Sequence, residues 1–429
     1  MLVSSGLIRP AANRRLITRL RFQFVTVGLA AMLLPLVMPL MLSGNFTTSL
    51  AGTRISQLAS LIAAEVALLV FRRVTAYPGT RGFAYIIPAF SITFGIATAI
   101  LLGLRLSYSG SMMLAGYLAS TVVMFVLWYV GNRSAPMRMY FVPSGNTSII
   151  SDTPQVEWVP LLSPQLPPWD GAIVADLRWD HEPEWERLLA DAAVSGRAVY
   201  HSKQLHESLT GRVEIEHLSE NSLGSLLPNR AYHSIKRTID LIACVVLLPL
   251  LALPMLLVGV MIRLDSPGPA LFRQERMGFR GRPFRVLKFR TMTDRPPVIE
   301  SSGRHSSITQ PDDDRITRLG RFLRRSRIDE LPQIINVLRG DMSWIGPRPE
   351  AMALSCWYET ELPFYVYRHI VRPGITGWAQ VNQGHVAELT DVHVKLHYDF
   401  YYIKHFSAWL DVLIAMRTCA TILTGFGAR

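Results

Sequence analysis

The sequence predicts a membrane protein in which transmembrane α-helices are joined to α/β domains. Four long apolar runs lie in the first third of the chain, and strand-like and helix-like segments alternate after them. Of the 429 residues 49% are hydrophobic, yet the formal net charge is +12. A chain that is both apolar and basic is typical of a membrane protein that faces an anionic surface or binds phosphorylated ligands. A soluble nucleic-acid-binding protein would share the charge but has no use for the apolar runs, so we expect no nucleic-acid partner.

Residues 1–135 are predicted to form a region of four transmembrane helices. The apolar runs cover residues 22–42, 55–71, 84–104 and 109–130. A spanning helix needs about 20 residues and at least roughly 17, so the second run is the least certain to cross the membrane. Arginines are concentrated before the first run, between the second and third, and after the fourth. The positive-inside rule therefore places both ends of this region in the cytoplasm.

Two features of this region allow a second interpretation. The basic segment before the first run also fits a signal peptide, but the run is longer than a typical signal core and lacks an obvious small-x-small cleavage site. We therefore interpret it as a retained anchor. Glu65 lies within the second run, where a carboxylate is by default a functional candidate. It equally fits a protonated side chain hydrogen-bonded between helices, and we do not assign it to the site.

Residues 136–225 are predicted to form a small Rossmann-like α/β module. Short buried strands are predicted at 140–142, 172–175 and 197–200, and a helix at 182–194. Alternation of strands and helices predicts a parallel sheet. The loop after the first strand, Pro143-Ser144-Gly145-Asn146, lacks the G-x-G-x-x-G fingerprint, so we expect no dinucleotide cofactor. A linker, regulatory or assembly role is favoured.

A further apolar run, long enough to span, opens the last predicted domain, residues 231–429. Basic residues flank the run on both sides, beginning with Lys236-Arg237, so the positive-inside rule asks for both ends on one side of the membrane. Pro249 and Pro254 fall inside the run, where they bend a helix. We interpret residues 235–264 as a re-entrant helix that dips into one leaflet. An ordinary fifth span with a kink is the alternative.

Two other helices of this domain are predicted to lie on the membrane surface. In Ile316–Arg325 the apolar residues fall on one side and four arginines on the rest, a pattern typical of interfacial amphipathic helices. The run Ser407–Leu423 has apolar residues at helical spacing but is interrupted by Asp411 and Arg417, so we expect a surface-lying helix and no span.

An acidic pair, Asp329-Glu330, stands directly before Leu331-Pro332 and an apolar helical pattern. Because proline is tolerated in the first turn of a helix, the pair is predicted at a helix N-terminus, which favours carboxylates and phosphates. A rigid turn, Gly346-Pro347-Arg348-Pro349, then presents one guanidinium. Together these features indicate phosphoryl chemistry, although an Asp at a helix start is commonly only an N-cap and such a turn is commonly a surface corner.

The three cysteines follow no metal or disulfide spacing. Cys244, Cys356 and Cys419 are far apart and form no CxxC pair. The sequence therefore predicts neither zinc nor a disulfide framework, and it fits a reducing compartment.

Five segments of the second half carry a resemblance to a known family. They read KRTIDL at 236–241, FRVLKFRTM at 284–292, RITRLGRFLRRSRIDELPQIINVLRGDMSWIGPRPE at 315–350, RPGITGWAQV at 372–381 and YYIKHFS at 401–407. In this order they resemble the bacterial polyprenyl-phosphate sugar-1-phosphate transferases, or monotopic phosphoglycosyl transferases. The four spans and the degenerate nucleotide-fold module look like the large members, such as the undecaprenyl-phosphate glucose or galactose phosphotransferases.

The resemblance implies transfer of hexose-1-phosphate, with glucose ahead of galactose, from a UDP-sugar to undecaprenyl phosphate with release of UMP. This step would initiate an exopolysaccharide or O-antigen repeat unit at the cytoplasmic face of the bacterial inner membrane, and a homodimer is possible. Asp329 matches the family's nucleophile, which forms an aspartyl-phosphosugar. Glu330 matches the residue that helps to hold Mg²⁺, with Asp329 beside it. Adjacent residues on a helix point about 100° apart, so the two carboxylates can serve different roles.

The resemblance also implies a set of phosphate-binding residues. Arg348 matches the phosphate clamp in the family's Pro-Arg-Pro turn, and Lys288 and Arg290 are weaker candidates for the same pocket. Arg327 is a departure, because the family often has Ser at this position, and we add it to these phosphate-binding candidates.

A second set would face the lipid acceptor. Lys236 and Arg237 suit the headgroup level of the polyprenyl phosphate, and Pro254 matches the break in the re-entrant helix, although Leu253 stands where the family usually has Ser. The sequence after the Trp-Ala-Gln-Val segment also departs from the family's usual Asn-Gly-Arg. This departure concerns sugar contacts more than the chemistry.

Two alternatives stay open from the sequence. A non-catalytic membrane assembly or chain-length protein of polysaccharide export would need the spans and the basic surface, but not Asp329, Glu330 and Arg348 together. Direct attack of the lipid phosphate on the UDP-sugar, aided by Mg²⁺, would need no covalent intermediate.

Overall fold

The chain divides into two compact units, residues 1–211 and residues 212–429. The predicted transmembrane region and most of the predicted α/β module fall in the first unit, and the predicted catalytic domain falls in the second. The computed structural model describes residues 17, 19–43, 50–75, 82–132, 137–146, 156–167, 171–215, 228, 230–293, 315–383 and 389–424.

Four apolar helices open the first unit, as the sequence predicts. They are α1 (Leu20–Ser43), α2 (Leu50–Val74), α3 (Ile86–Gly103) and α4 (Gly110–Asn132). Helix α2, which covers the shortest apolar run, has 25 residues. Its length is therefore about 38 Å, enough to cross a hydrocarbon core of about 30 Å. Within the described residues, the stretches long and apolar enough to span are 52–74, 86–103, 110–131 and, in the second unit, 231–265, while α1 holds a shorter apolar stretch at 20–33.

Small residues bring these helices close together. A Cβ on Gly116 of α4 would lie 2.9 Å from the hydroxyl of Ser60 in α2, and a Cβ on Gly28 of α1 would lie 2.6 Å from the carboxylate of Glu65. Close backbone approach of this kind stabilises helix pairs in lipid, where hydrophobic burial cannot. Glu65 thus lies where α1 meets α2, and its Oε2 has no hydrogen-bond partner in the described part of the chain.

A four-stranded parallel sheet forms the rest of the first unit. Its strands are β1 (Met137–Phe141), β2 (Val156–Pro160), β3 (Ala172–Ala175) and β4 (Val199–His201), in the order β2-β1-β3-β4, with helices α5 (Pro183–Val194) and α6 (Ser202–Thr210). Strand side chains alternate between two faces, so Tyr140 and Ile173 pack against α5 while Met139 and Val174 pack against Leu205 of α6.

The strands near 140, 172 and 199 and the helix that follows the second of them confirm the predicted pattern. Strand β2 was not predicted, because its few apolar residues are only partly buried and lead into a proline-rich loop. The parallel sheet is established; its assignment to the Rossmann type stays a prediction.

The second unit begins with α7 (Arg230–Asp265), a helix of 36 residues. The antiparallel hairpin of β5 (Leu271–Met277) and β6 (Pro283–Phe289) follows, then α8 (Arg318–Arg325), α9 (Gln333–Arg339) and β7 (Ser343–Ile345). The unit continues through α10 (Met352–Glu361), β8 (Gly374–Thr376), which pairs in parallel with β7, α11 (Trp378–Asn382), α12 (Leu389–Lys404) and α13 (Ala408–Thr424). Two 3₁₀ turns matter below, Ile328–Glu330 and Tyr365–Ile370.

Helix α7 contributes to two hydrophobic cores of its own unit. In its first half Cys244 packs with Ile334 of α9, and near its C-terminal end Ile262 packs with Phe289 of β6 and Leu323 of α8. Its other face carries exposed large apolar side chains, namely Val245, Val246, Leu250, Leu253, Leu256, Leu257, Val260 and Met261. One face of α7 is therefore built into the unit along most of the helix, and the other is suited to lipid.

The predicted break at the prolines of α7 does not interrupt the helix. Pro249 and Pro254 both lie inside a single helical segment, and both are exposed. The helix thus confirms the location predicted for residues 235–264, while re-entry into one leaflet stays a prediction.

Helix α13 packs one face into the second unit. Leu410, Leu413 and Ile414 are fully buried, and Asp411 is only 8% exposed. From the sequence we interpreted Asp411 as evidence that the helix lies on the surface. In the structure this carboxylate has internal partners, which are described below. Helix α8 keeps the predicted amphipathic character, because Leu323 is buried while Phe322 is 60% exposed.

Candidate active site

Helix α8 reaches the acidic pair through a close contact with the end of β6. A Cβ on Gly320 would lie 2.0 Å from the carbonyl oxygen of Thr291, so only glycine fits this approach. Arg324 donates to the hydroxyl of Thr291 at 2.8 Å, and Thr317 caps the helix start by accepting from the Gly320 N–H. These contacts fix the point at which the chain leaves α8.

The acidic pair lies in a 3₁₀ turn and not in the first turn of α9. Arg327 adopts left-handed backbone angles, φ 59° and ψ 15°, which end α8 and start the turn Ile328–Glu330. Helix α9 begins only at Gln333, after Pro332. The pair therefore precedes the observed start of α9, and its predicted position at the helix N-terminus is wrong by a few residues; Gly340, with φ 92°, ends α9 where the sequence predicted.

Glu330 is surrounded by cations. Its Oε1 lies 2.7 Å from Nη2 of Arg348, 3.1 Å from Nζ of Lys288 and 3.7 Å from Nη1 of Arg327, and its side chain is 8% exposed. Burial by itself would raise the pKa of Glu330, but the guanidinium of Arg348 and the ammonium of Lys288 hold that pKa well below its ordinary value. Glu330 is therefore firmly ionised.

Asp329 has the opposite environment. It is 9% exposed, and its Oδ1 has no hydrogen-bond partner within the described residues. Burial raises the pKa of Asp329 above its ordinary value, and the negative charge of Glu330 adds to the increase. Two neighbouring carboxylates, both buried, thus differ in basicity and in their polar partners, a difference typical of groups with separate chemical roles.

Lys288 reaches the pair because α9 is docked onto β6. Asn336, fully buried in α9, accepts from the N–H of Leu287 at 3.0 Å and donates to the carbonyl of Arg285 at 2.8 Å. These bonds fix β6 beside α9, so Lys288 faces Glu330. Burial lowers the pKa of Lys288 from its ordinary value to about 8, and the nearby guanidinium of Arg348 contributes, against the opposing effect of Glu330.

The structure brings together five of the residues singled out from the sequence: Asp329, Glu330, Lys288, Arg348 and Arg327. Arg290 is not among them. Its guanidinium donates to the carbonyls of Ser266 at 2.6 Å and Pro267 at 2.7 Å, and thereby fixes the turn after α7. The sequence pattern placed Arg290 with Lys288, but β6 ends at Phe289 and Arg290 turns away.

Lys236 and Arg237 have partners inside the unit. Lys236 pairs with Asp411 of α13 at 2.6 Å, with both side chains largely buried. Arg237 donates to the carbonyls of Val337 at 2.6 Å and Leu338 at 2.9 Å, at the C-terminal end of α9. These contacts anchor α7, and the binding of a lipid phosphate by either residue stays a prediction.

Several buried or partly buried charges near the site were not found from the sequence. Arg368 pairs with Asp399 at 2.9 Å, and Glu350 pairs with Lys395, all four in the second unit. Arg276 of β5 donates to the carbonyl of Pro349. The available signal was a lone charge within an aromatic stretch, as in Tyr365-Val-Tyr-Arg and Tyr398-Asp-Phe-Tyr, which indicates a paired buried charge more than a solvated one.

Asp329 and Glu330 could hold a magnesium ion together with the phosphates of a substrate. In the part of the chain that the structure describes, no cluster of three or more His, Cys, Asp or Glu residues could hold a metal alone. Mg²⁺ commonly takes one or two carboxylates together with water and substrate phosphates. Asp329, with its unpartnered Oδ1, and Glu330 supply such a pair.

Known proteins match this chain in both units. A family model described as bacterial sugar transferase matches residues 231–425. A UDP-N-acetylgalactosamine-undecaprenyl-phosphate N-acetylgalactosaminephosphotransferase of Aeromonas hydrophila is 46% identical over 365 residues, which are 84% of this chain and 85% of that protein. A UDP-glucose:undecaprenyl-phosphate glucose-1-phosphate transferase of Caulobacter vibrioides is 44% identical over 206 residues, 47% of this chain and 74% of that protein. One of the same description from Escherichia coli is 40% identical over 194 residues, 45% of this chain and 40% of that protein.

Proposed function

The chain belongs to the bacterial sugar transferase family, and from this premise we propose that it transfers a sugar-1-phosphate from a UDP-sugar to undecaprenyl phosphate and releases UMP. The observation that carries the proposal is the contrast between Asp329 and Glu330. One buried carboxylate is unpartnered at Oδ1, while its neighbour is held by Arg348 and Lys288. A protein that only assembled other components would not need this costly arrangement of buried charges.

Asp329 is the nucleophile in this proposal. An oxygen of its carboxylate attacks the sugar-bearing phosphorus of the donor, a P–O bond forms, and the bridging P–O bond to the nucleotide breaks to release UMP. An oxygen of undecaprenyl phosphate then attacks the same phosphorus, which frees Asp329 and forms the lipid diphosphate sugar. Each step exchanges one P–O bond for another, so no proton acceptor is required at the reacting phosphorus.

The cations around Glu330 are proposed to bind the diphosphate of the donor. Arg348, Lys288 and Arg327 provide three positive charges against the two carboxylates, and this excess is available to the diphosphate of the donor. Arginine suits phosphate because its planar fork donates two parallel hydrogen bonds. Glu330 holds these side chains in place before the donor arrives, which reduces the reorganisation needed during the reaction.

Mg²⁺ is proposed as the cofactor. Asp329 and Glu330 would hold the ion together with the donor phosphates, and the ion would neutralise the diphosphate as an anionic nucleophile approaches. Arg348 and Lys288 would bind and orient the same donor phosphates through their side chains.

The donor proposed first is UDP-N-acetylgalactosamine. The relative named for that sugar matches 84% of this chain, including part of the first unit, whereas the glucose relatives match less than half of it. The family resemblance in the sequence pointed to glucose and then galactose, so UDP-glucose and UDP-galactose are the donors to compare. The product would be the first lipid-linked sugar of a bacterial surface polysaccharide, an exopolysaccharide or O-antigen.

The reaction is proposed to occur at the cytoplasmic face of the inner membrane, with α7 re-entrant. Lys236 near the start of α7 is bound to α13, and Ile262 near its end packs with β6 and α8. Both ends of α7 are thus attached to one compact unit, which supports a helix whose two ends lie on the same side of the membrane more than one that crosses the bilayer. Arg321 and the exposed Phe322 of α8 suit the same interface.

The experiment that tests the proposal is UMP release by the full chain in membranes, with undecaprenyl phosphate, Mg²⁺ and a panel of UDP-sugars. Release with one sugar, lost in Asp329→Asn, is the expected result. No release with any UDP-sugar from well-folded protein would favour the assembly-protein alternative. Exchange of labelled UMP into UDP-sugar without the lipid acceptor is expected for a covalent intermediate, and its absence would favour direct attack by the lipid phosphate.

A further inference from the structure

The turn that carries Arg348 is held by hydrogen bonds to four successive carbonyl groups. The carbonyl of Pro347 accepts from the Gly374 N–H at 3.0 Å, that of Arg348 from Nη2 of Arg368 at 2.8 Å, that of Pro349 from Arg276, and that of Glu350 from the Met277 N–H at 3.1 Å. The donors come from β8, the turn Tyr365–Ile370 and β5. A turn that served only as a surface corner would not need partners from three separate elements. These hydrogen bonds therefore indicate that the position of this turn is important.

One of these donors is a side chain with an unusual set of contacts. Arg368 is 4% exposed, and its Nε and Nη2 lie 3.1 Å and 2.9 Å from Oδ2 of Asp399. Its Nη1 donates to the hydroxyl of Tyr365 at 2.7 Å. All three nitrogens are thus engaged in the interior, and Nη2 serves both Asp399 and the carbonyl of Arg348.

These contacts distinguish Arg368 from a charge that merely neutralises Asp399. A lysine could pair with Asp399, but its single ammonium cannot also reach Tyr365 and the backbone of Arg348 in the fixed geometry of a planar guanidinium. The bond to the Arg348 carbonyl is the link to the site, because the side chain of the same residue lies 2.7 Å from Glu330. Fixing the backbone of Arg348 fixes the origin of its side chain.

We propose that Arg368, held by Asp399 and Tyr365, is a positioning residue that fixes the backbone of Arg348 so that its guanidinium meets the donor diphosphate beside Glu330. The proposal rests on the function proposed above and deepens it. Arg368 touches neither the donor nor the reacting atoms; it acts through Arg348. Preorganised charge is effective because the protein does not rearrange as the reaction proceeds.

A double-mutant cycle tests this proposal. Arg368→Lys keeps the charge beside Asp399 but loses the donor to the Arg348 carbonyl, and we expect kcat to fall by about 10- to 100-fold, as for a small displacement of a reacting group. In an Arg348→Ala background the same change is expected to cost almost nothing further, because Arg368 then has no guanidinium to position. Equal losses in both backgrounds would show a general structural role and overturn the proposal.

The matched control is Arg273→Lys, the same substitution at an exposed arginine of β5. Activity of this variant should equal that of the unaltered chain. Tyr365→Phe removes only the hydroxyl that accepts from Arg368, so it provides a milder variant if Arg368→Lys does not fold. A smaller fall in kcat, again absent in the Arg348→Ala background, is expected for it.

Hydrogen exchange supplies a readout that does not depend on activity. The amides of Gly374 and Met277 donate to the turn, so both should exchange faster in Arg368→Lys, whereas Arg348→Ala leaves the backbone bonds intact and should not change them. Unchanged exchange together with unchanged kcat in folded Arg368→Lys would refute the proposal. If the unaltered chain releases no UMP at all, the proposed function fails, and the exchange result still decides whether Arg368 holds the turn.

Discussion

Glu330 and Arg348 meet at 2.7 Å between Oε1 and Nη2, although α9 and β7 separate them in the chain. The contact joins the acidic pair to the Pro-Arg-Pro turn. The sequence showed only that these two features are close along the chain, not that they touch. The contact also separates Glu330 from Asp329, because only Glu330 receives the guanidinium and the ammonium of Lys288. The chemistry proposed for the site depends on this asymmetry.

Asp329→Asn should abolish turnover without unfolding the protein. The variant loses the nucleophilic oxygen, so we expect a fall in kcat of at least about 10⁴-fold, as when a group essential to a covalent step is removed. Folding should be retained, because the replaced carboxylate is buried beside a second negative charge and its Oδ1 has no partner in the described residues. UMP release measures the first effect and thermal unfolding in detergent the second. Normal activity in a folded variant would contradict the assignment of the nucleophile.

Glu330→Gln should impair both stability and the use of Mg²⁺. The substitution leaves the partly buried cations Lys288 and Arg348 without their carboxylate, which costs up to about 3–5 kcal/mol, the range for a fully buried pair that is broken. We also expect the Mg²⁺ concentration for half-maximal activity to rise, because one of two carboxylates proposed to hold the ion is lost. Titration of Mg²⁺ against UMP release tests the second point, and an unchanged midpoint would argue against a metal role for Glu330.

Asp411→Ala should destabilise the second unit more than Lys236→Met. Asp411 accepts from Lys236, Tyr232 and Tyr402. Removal of Asp411 leaves a buried ammonium unpaired, at about 3–5 kcal/mol, whereas removal of Lys236 leaves Asp411 with two phenol donors. Denaturant unfolding of the two variants measures the difference.

Lys236→Met also tests the role in lipid binding suggested by the family resemblance. Because Lys236 is already paired inside the protein, we expect the KM for undecaprenyl phosphate to stay unchanged in this variant. A clear rise in that KM, with the KM for the UDP-sugar unaffected, would assign Lys236 to the lipid phosphate instead.

His369 should make the protein less stable at acidic pH. Burial lowers the pKa of His369 to about 3, and the charge of Arg368 contributes. Between the ordinary histidine pKa of about 6.5 and the folded value, the unfolded chain binds a proton that the folded chain does not, so stability falls as the pH falls, by up to about 1.4 kcal/mol per pH unit. His369→Gln should flatten this dependence, as measured by thermal unfolding between pH 4.5 and 7.5. A curve identical to that of the unaltered chain would show that His369 is not responsible.

Much of the fold follows from local patterns. The apolar runs of α2, α3 and α4, the strand Ala172–Ala175 and the helix ending at Gly340 lie close to where periodicity and end signals put them. Strand β2 was not predicted, because an edge strand of partly buried residues has only a weak hydrophobic alternation. The sequence predicts the start of α9 slightly too early. The left-handed backbone of Arg327 is followed by a 3₁₀ turn, and the helix begins only after it.

The sequence by itself determined the membrane character, the α/β pattern and the residues that we propose to carry the chemistry, because these depend on spacing and residue type along a short stretch. The tertiary structure alone decided how the two carboxylates differ, and that Arg290, Lys236 and Arg237 have internal partners. It also revealed Arg368, whose only sequence signal is a lone charge among aromatic residues. The physical reason is that pKa values and ion pairs depend on distances and burial between elements far apart in the chain, which no local pattern contains.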